Sequence, residues 1–249
     1  MKLKSAISIA GYDPSGGAGI LNDVRTFTAL GIYGTAVITA LTAQNIYKVE
    51  DIFPVDPDFI EKEIELILEQ EQIEYAKTGM LYSEKIVKCV AHKVSEHELK
   101  VVADPVMVAG SGGFLSQKDF ADSLKKYLLP HALLTTPNIS EAEALSGYRI
   151  EDENDAMEAA LKIGEICNVV ITGGHLQGND TYFDGTVKVI DGEIIKSKNT
   201  HGSGCTYSSA ITAYLIKGFS LEESVRKAGI FVTESIRYGY KGTLNQFWK

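Results

Sequence analysis

A mostly parallel α/β sheet with helices on both faces is the fold the sequence predicts, and three observations carry it. Short β-branched runs ending in Gly, Pro, Asn or Asp alternate with longer segments of helical period. The residues of unusual chemistry fall just after those runs, where open α/β sheets bind their ligands. With 249 residues, 45% hydrophobic and 23% charged, the chain can bury one large core; no Pro/Ser-rich linker or repeat divides it, so residues 1–249 are read as one domain.

Taken in order, Ser5 to Ala10 is the first strand and runs into GYDPSGGAGI, Gly11 to Ile20, a glycine-rich turn ahead of a helix. Gly16, Gly17 and Gly19 permit positive φ and close backbone approach, and the helix start offers free N–H groups. The motif is neither GxGxxG nor a Walker A loop, because no Gly-Lys pair occurs. A tight turn that merely needs glycine explains the same residues. Ala36 to Ala40 is the second strand, and Phe59, Ile60, Ile64, Ile67 and Leu68 give an amphipathic helix with a solvated acidic face. Tyr75 to Thr78 and Lys100 to Ala103 are further strands; Lys77 and Arg25 read as surface charges near the rim, with no role assigned.

The strand Ala132 to Thr135 is stopped by Pro137, after which Asn138 caps a helix with Glu141 three residues on. Asp152 to Glu165 is a helix, Val169 to Thr172 a strand, and Thr181 to Ile195 a small antiparallel meander turning at Asp184-Gly185 and Asp191-Gly192. A helix from Ser203 to Lys217 is closed by Gly218, and a last one, Leu221 to Tyr238, starts from Ser220 with Glu223.

Four motifs thus converge on one rim. Asp104 of DPVM ends a strand and has the reach for magnesium, which keeps several waters and takes one or two carboxylates. TPNISEAE, Thr136 to Glu143, offers Asn138 and Glu141, as a helix cap, a metal site or both. HGSGCT, His201 to Thr206, sets two glycines before a helix and exposes N–H groups suited to a phosphoryl group in transfer. Cys205 sits in that helix's first turn, a position that lowers a thiol's pKa and fits a base or a donor; a small buried hydrophobe is the alternative.

Charge and cysteine content narrow the partners. A net charge of −9 and a pI near 5.1 exclude nucleic acid or an anionic membrane as the main partner. The apolar stretch Ala6 to Ala10 is too short for a signal peptide, and no run approaches the roughly 20 residues of a membrane span. Only Cys89, Cys167 and Cys205 are present, which gives no disulfide framework or zinc spacing and fits the cytoplasm.

Read together, GYDPSGGAGI, ALTAQN at Ala40 to Asn45, KTGM at Lys77 to Met80, DPVM, TPNISEAE, GGH at Gly173 to His175 and NTHGSGCT at Asn199 to Thr206 resemble hydroxymethylpyrimidine kinase over nearly the whole chain. The resemblance implies a ribokinase-like fold, a homodimer, and use of ATP with Mg2+ to phosphorylate hydroxymethylpyrimidine and then its monophosphate, in thiamine biosynthesis. It implies that Gly11, Asp23, Thr42, Gln44, Met80 and Val106 surround the pyrimidine. Asp104 and Glu141 would organise the metal, and Asn138, Thr172, Gly173, Thr200 and Ser203 the nucleotide and phosphates. Gly202, Gly204 and Cys205 would form the catalytic anion hole. Three positions depart from the family: Tyr12 for Ser or Thr, Thr172 for Lys, and Leu244 for Pro. Thr172 keeps a pyridoxal or pyridoxine kinase, or a dual-specificity enzyme, as the alternative, and a pyrimidine-binding sensor without catalysis is the reading from another class. Met107 to Phe114, rich in glycine, is the expected flap over the site.

Overall fold

Every run predicted as a strand pairs in one nine-stranded sheet in the computed structural model, which describes residues 3–107, 120–174 and 178–248. The strands are β1 (Ser5–Tyr12), β2 (Tyr33–Gln44), β3 (Val49–Pro54), β4 (Tyr75–Thr78), β5 (Lys100–Ala103), β6 (Ala132–Thr135), β7 (Asn168–Ile171), β8 (Asp180–Phe183) and β9 (Val187–Ile190). They lie in the order β3-β2-β1-β4-β5-β6-β7-β8-β9. The six from β2 to β7 are parallel, and β3 at one edge and the β8-β9 hairpin at the other are antiparallel.

The helices are α1 (Gly19–Ala29), α2 (Pro57–Gln70), α3 (Glu84–Glu96), α4 (Phe120–Ser123), α5 (Ile139–Ser146), α6 (Glu153–Gly164), α7 (Ser203–Ile216) and α8 (Leu221–Arg237). Alternation along the strands sends side chains to two cores. Ile7 and Ile9 of β1 pack with Ile60 and Ile64 of α2, Val87 and Val90 of α3 and Ala159 and Ile163 of α6. Ala6 faces the other way, into Phe27 of α1, Ile211 of α7 and Val225 of α8. Helices therefore cover both faces, as predicted. α7 is buried almost all round, so its N-terminus is delivered from beneath the sheet's rim and has little freedom to shift. Caps fix three of the other helix starts: Asn138 with Glu141, Asp152 with Asp155 and Ser220 with Glu223 are complete capping boxes, each hydrogen bond worth about 1 kcal/mol.

Two expectations change. β1 continues past Ala10 to Tyr12, with a register shift against β2 there that turns the glycine loop over the rim. The meander is a single hairpin turning at Asp184-Gly185; after Asp191-Gly192 the described residues form no further strand, and Gly192 instead packs against the Gly178 carbonyl. The expected flap, apart from Met107, and His175 lie outside the described residues. Among those residues, no helix is long and apolar enough to cross a membrane.

Candidate active site

Strand β1 lies between β2 and β4, so chain crossovers leave it in opposite directions and a crevice opens at the carboxyl ends of these strands. A pocket of about 370 Å³, solvent at its mouth included, fills that crevice, room for one substituted six-membered ring. Gly11, Thr42, Gln44, Met80, Val106 and Cys205 all line it, together with Tyr12, Asp13, Gly79 and Lys77. Local hydrogen bonds shape the wall: Thr42 Oγ1 donates to the Tyr12 carbonyl at 2.8 Å, and Thr39 Oγ1 to the Met80 carbonyl at 2.5 Å. Gly11 leaves space for its neighbour: a Cβ there would stand 2.9 Å from Met80 Sδ, which would have to move.

Two glycine loops meet beside the pocket. Asp13, 2% exposed, accepts from Ser15 N at 2.8 Å and Ala18 N at 2.9 Å, and its Oδ2 takes His201 Nε2–H at 2.8 Å. Burial pushes this carboxyl up, but hydrogen bonds from His201, Ser15 and Gln44 outweigh it and bring the pKa down to about 2. Asn22, fully buried, donates to the Gly17 carbonyl at 2.6 Å and the Gly202 carbonyl at 3.4 Å and accepts from Thr206 Oγ1 at 3.0 Å. Arg25 donates to the Gly16 carbonyl at 2.7 Å, which gives that exposed cation a structural task. The result is a rigid cradle that sets the first turn of α7, where Cys205 lines the pocket, against the crevice. The segment beyond α8 braces it: His201 N donates to the Gly242 carbonyl at 3.1 Å, and Gln246 Nε2 to Thr206 Oγ1 at 3.3 Å. Leu244, where the family has Pro, is buried under this brace.

Beneath the pocket floor lies a group of buried charges that sequence reading missed. Lys77 is not a surface residue: it is fully buried, with Nζ 3.0 Å from each Asp23 oxygen and 3.7 Å from Asp104 Oδ2. Burial disfavours the ammonium, yet Asp23 and Asp104 more than compensate, so it stays charged. Asp23 is the second correction. Its carboxylate is consumed by Lys77, Ser8 Oγ at 2.6 Å and Ser209 Oγ at 2.8 Å, and it is absent from the pocket lining, so it supports the floor. A signal existed: a lysine within a strand of a parallel sheet covered on both faces must be paired.

Cys205 corrects a third expectation. Its place at the start of α7 does bring a Gly19 N–H and the Lys77 charge, both lowering, but burial dominates and Asp104 and Asp23 add to it, pushing the thiol up to about 12. The resting group is a thiol. Cys89 and Cys167 are likewise pushed up, to about 11 and about 12, chiefly by burial. All three cysteines are free, and we expect the native protein to react slowly with a disulfide reagent at pH 8 and to give three equivalents on denaturation. A fast native equivalent would show that the thiol is activated at rest.

Asp104 and Glu141 stand together at the rim. Asp104 accepts from Ser208 Oγ at 3.0 Å; Glu141 accepts from Asn138 N at 3.0 Å and Met107 N at 3.3 Å while Asn138 Oδ1 takes Glu141 N at 3.0 Å. Burial pushes both carboxyls up, and Asp104 raises Glu141 further, to about 8. Two oxygen donors that repel each other in a buried site suit a hard divalent cation, and Thr136 nearby in sequence keeps a buried hydroxyl without a protein partner. A carboxyl whose folded pKa exceeds its ordinary 4.5 holds a proton that the unfolded chain releases, so its stabilising contribution is complete below about 4.5 and lost by about 8. We expect the metal-free melting temperature to fall as pH rises across that window, and Glu141→Gln to flatten the fall; an unchanged slope would remove Glu141 as its source. A second grouping of ligand-type side chains, Glu65, Glu96 and His97, is filled by Lys93, whose Nζ lies 2.5 Å and 2.7 Å from the two carboxylates.

The remaining predicted positions form the outer rim. Thr172 bridges to Asn138 and donates its N–H to the Pro137 carbonyl at 2.9 Å, which sets the Gly173 turn beside the α5 N-terminus. Gly173 N donates to Asp180 Oδ1 at 3.0 Å, and Asp180 also accepts from Tyr207 of α7, tying this turn to the cradle. Thr200 is exposed at the loop entrance, and its carbonyl accepts from Ser203 N at 3.1 Å.

The family described as phosphomethylpyrimidine kinase matches residues 13–246. The chain is 42% identical over 241 residues to the thiamine biosynthesis bifunctional protein ThiED of Geobacter sulfurreducens, covering 94% of this chain and 49% of that one, so it spans about half of that relative's length. It is 37% identical over 247 residues to a hydroxymethylpyrimidine/phosphomethylpyrimidine kinase of Staphylococcus aureus, covering 96% of this chain and 90% of the relative. The solved pyridoxal kinase from Staphylococcus aureus in complex with AMP-PCP and pyridoxal is similar at a TM-score of 0.90 and 33% identity, covering 99% of this chain and 94% of that one.

Proposed function

The chain belongs to the phosphomethylpyrimidine kinase family, and from that membership we propose that it uses ATP to phosphorylate 4-amino-5-hydroxymethyl-2-methylpyrimidine and then the monophosphate, for thiamine biosynthesis. The observation that carries this reading is one pocket in which a ring-sized wall, Gly11, Thr42, Gln44, Met80 and Val106, ends at Cys205 in the first turn of α7.

The substrate ring lies against Met80 and Val106 with Gln44 at its polar edge, and its hydroxymethyl group points at Cys205. The amides after Gly202 receive charge on the transferred phosphoryl group. Asp104 and Glu141 hold magnesium, which supplies charge neutralisation for the phosphates when bound. Asn138, Thr172, Gly173, Thr200 and Ser203 border the nucleotide; the likeness to a kinase solved with AMP-PCP supports this side of the site. Phosphoryl transfer of this kind is chiefly alignment, and the hydroxyl becomes acidic only as its oxygen bonds phosphorus. A thiol held neutral at rest still carries its proton, so it serves as a hydrogen-bond donor to the charge that develops in transfer and not as a base. We expect Cys205→Ala to lower kcat by about 10²- to 10³-fold with the fold intact, and unchanged turnover would end that role.

ADP release with MgATP and hydroxymethylpyrimidine, its monophosphate or pyridoxal tests the assignment. Turnover of both pyrimidines over pyridoxal supports it. Preference for pyridoxal would favour the second reading, a vitamin B6 kinase, to which Thr172 and the pyridoxal-bound neighbour point. The same family reading carries a single kinase domain, a homodimer and a cytoplasmic enzyme, and three free cysteines are consistent with that compartment.

A further inference from the structure

We propose that Asp180 and Tyr207 are positioning residues: they hold the Gly173 turn at a fixed distance from the first turn of α7 and so align the nucleotide's phosphates with the Cys205 end of the ring pocket. This rests on the placement of Gly173 beside the nucleotide given above. Neither Asp180 nor Tyr207 lines the ring pocket, so both act through the backbone they hold.

Asp180 opens β8, and strand alternation puts its side chain on the same face as Tyr182, the face that α7 covers. A carboxylate directed toward a core is costly unless it is hydrogen-bonded. Here its two oxygens are divided between two elements: Oδ1 takes the Gly173 N–H at 3.0 Å, and Oδ2 takes the Tyr207 hydroxyl at 2.5 Å. Gly173 has no slack at this end. Gly178 N donates to its carbonyl at 3.1 Å, and a Cβ on Gly173 would stand 1.5 Å from the Asn179 carbonyl oxygen. Tyr207 is 5% exposed and belongs to the core between α7 and α8, with its ring beside Gly229. It follows Cys205 by two residues and stands between Thr206, which donates to Asn22 of α1, and Ser208, which donates to Asp104. The start of α7 is thereby tied to the glycine loop, to the Asp104 rim and, through Asp180, to the Gly173 turn. Misplacing reacting groups by about 1 Å costs about 10²-fold in rate, so such a link bears on transfer without touching a ligand.

The test measures the Kd for AMP-PCP with Mg2+ by calorimetry, and kcat and the pyrimidine KM by ADP release with hydroxymethylpyrimidine. Asp180→Ala is expected to weaken AMP-PCP by about 10-fold or more and to lower kcat by about 10- to 100-fold. The pyrimidine KM should stay within about 2-fold of wild type, because the ring wall belongs to other strands. Tyr207→Phe keeps the ring and its packing, and loss of the hydroxyl alone should weaken AMP-PCP by about 5-fold or more. Asp180→Asn can still accept from Gly173 N and can donate its amide to the Tyr207 oxygen, so it should bind AMP-PCP within about 3-fold of wild type. Tyr182→Phe is the matched control: it removes a second buried hydroxyl from the same hairpin, one that donates to Asp184 Oδ2 at 2.9 Å, and should leave the Kd unchanged. A soluble Asp180→Ala protein with wild-type affinity for AMP-PCP overturns the proposal, and so does an Asp180→Asn protein as weak as Asp180→Ala. Equal weakening by Tyr182→Phe and Tyr207→Phe, which would mark general loosening of the hairpin, overturns it too. Should Asp180→Ala not fold, Tyr207→Phe decides alone, and wild-type affinity there ends the proposal. Wild-type protein that binds no AMP-PCP fails the nucleotide reading itself, whereas firm wild-type binding with unchanged variants fails the positioning alone.

Discussion

Gly202→Ala is expected to cut ADP release by about 10²- to 10³-fold while leaving most of the protein folded. Gly202 has φ 87°, in the left-handed region, and a Cβ placed on it would stand 1.7 Å from the Gly17 carbonyl oxygen and 2.8 Å from Asn22 Nδ2. Neither neighbour can give way. Gly17 itself has no room, since its own Cβ would lie 2.2 Å from the His201 ring, and Asn22 is locked by Thr206 and the two loop carbonyls. The strain is relieved only by parting the two glycine loops, which moves the α7 amides relative to the ring wall. The loss should appear in kcat more than in KM for the pyrimidine, because Gln44, Met80 and Val106 sit on other elements. Steady-state kinetics beside a thermal melt checks this, and wild-type kcat would mean that the loops do not need their close contact.

Lys77→Met is expected to destabilise the protein by about 3–5 kcal/mol, the cost of breaking a buried ion pair and leaving its partner charged. Asp23 would keep only Ser8 and Ser209, and Asp104 would face Glu141 without the Lys77 charge. Pairing the change with Asp23→Asn removes the stranded charge, so the double variant should recover much of the loss. Urea unfolding of the three proteins measures the coupling. A single variant within about 1 kcal/mol of wild type would mean that the buried charges are compensated from elsewhere.

The contrast between what the sequence predicts and what the molecule does follows the range of the forces involved. β4, β5 and β6 match their predicted bounds because each is a short β-branched or apolar run closed by a turn residue. The helix starts at Asn138, Asp152 and Ser220 are equally local, since a cap spans three residues. β3 escapes such reading. VEDIFP is one-third acidic and mostly exposed, and it is a strand only because β2 offers it an edge. The site divides in the same way. Its glycine motifs and ring wall are visible as residue types, whereas the Asp23-Lys77 pair joins residues 54 positions apart and no spacing announces it. The same distance effect reversed the expectation for Cys205: a helix start lowers a thiol's pKa locally, and burial among carboxylates brought from β5 and α1 raises it more.

The Asp13-His201 contact joins positions 188 apart, and the brace from Gly242 and Gln246 comes later still. During synthesis the first glycine loop leaves the ribosome roughly 10 to 40 s before its partner does, at about 5–20 residues per second. Until then Asp13 has no imidazole, Asn22 lacks its Gly202 and Thr206 contacts, and the crevice has no floor at its reacting end. The nascent chain can build its central strands yet cannot assemble a place for phosphate, so competence arrives with the emergence of the last helices and not gradually along the way.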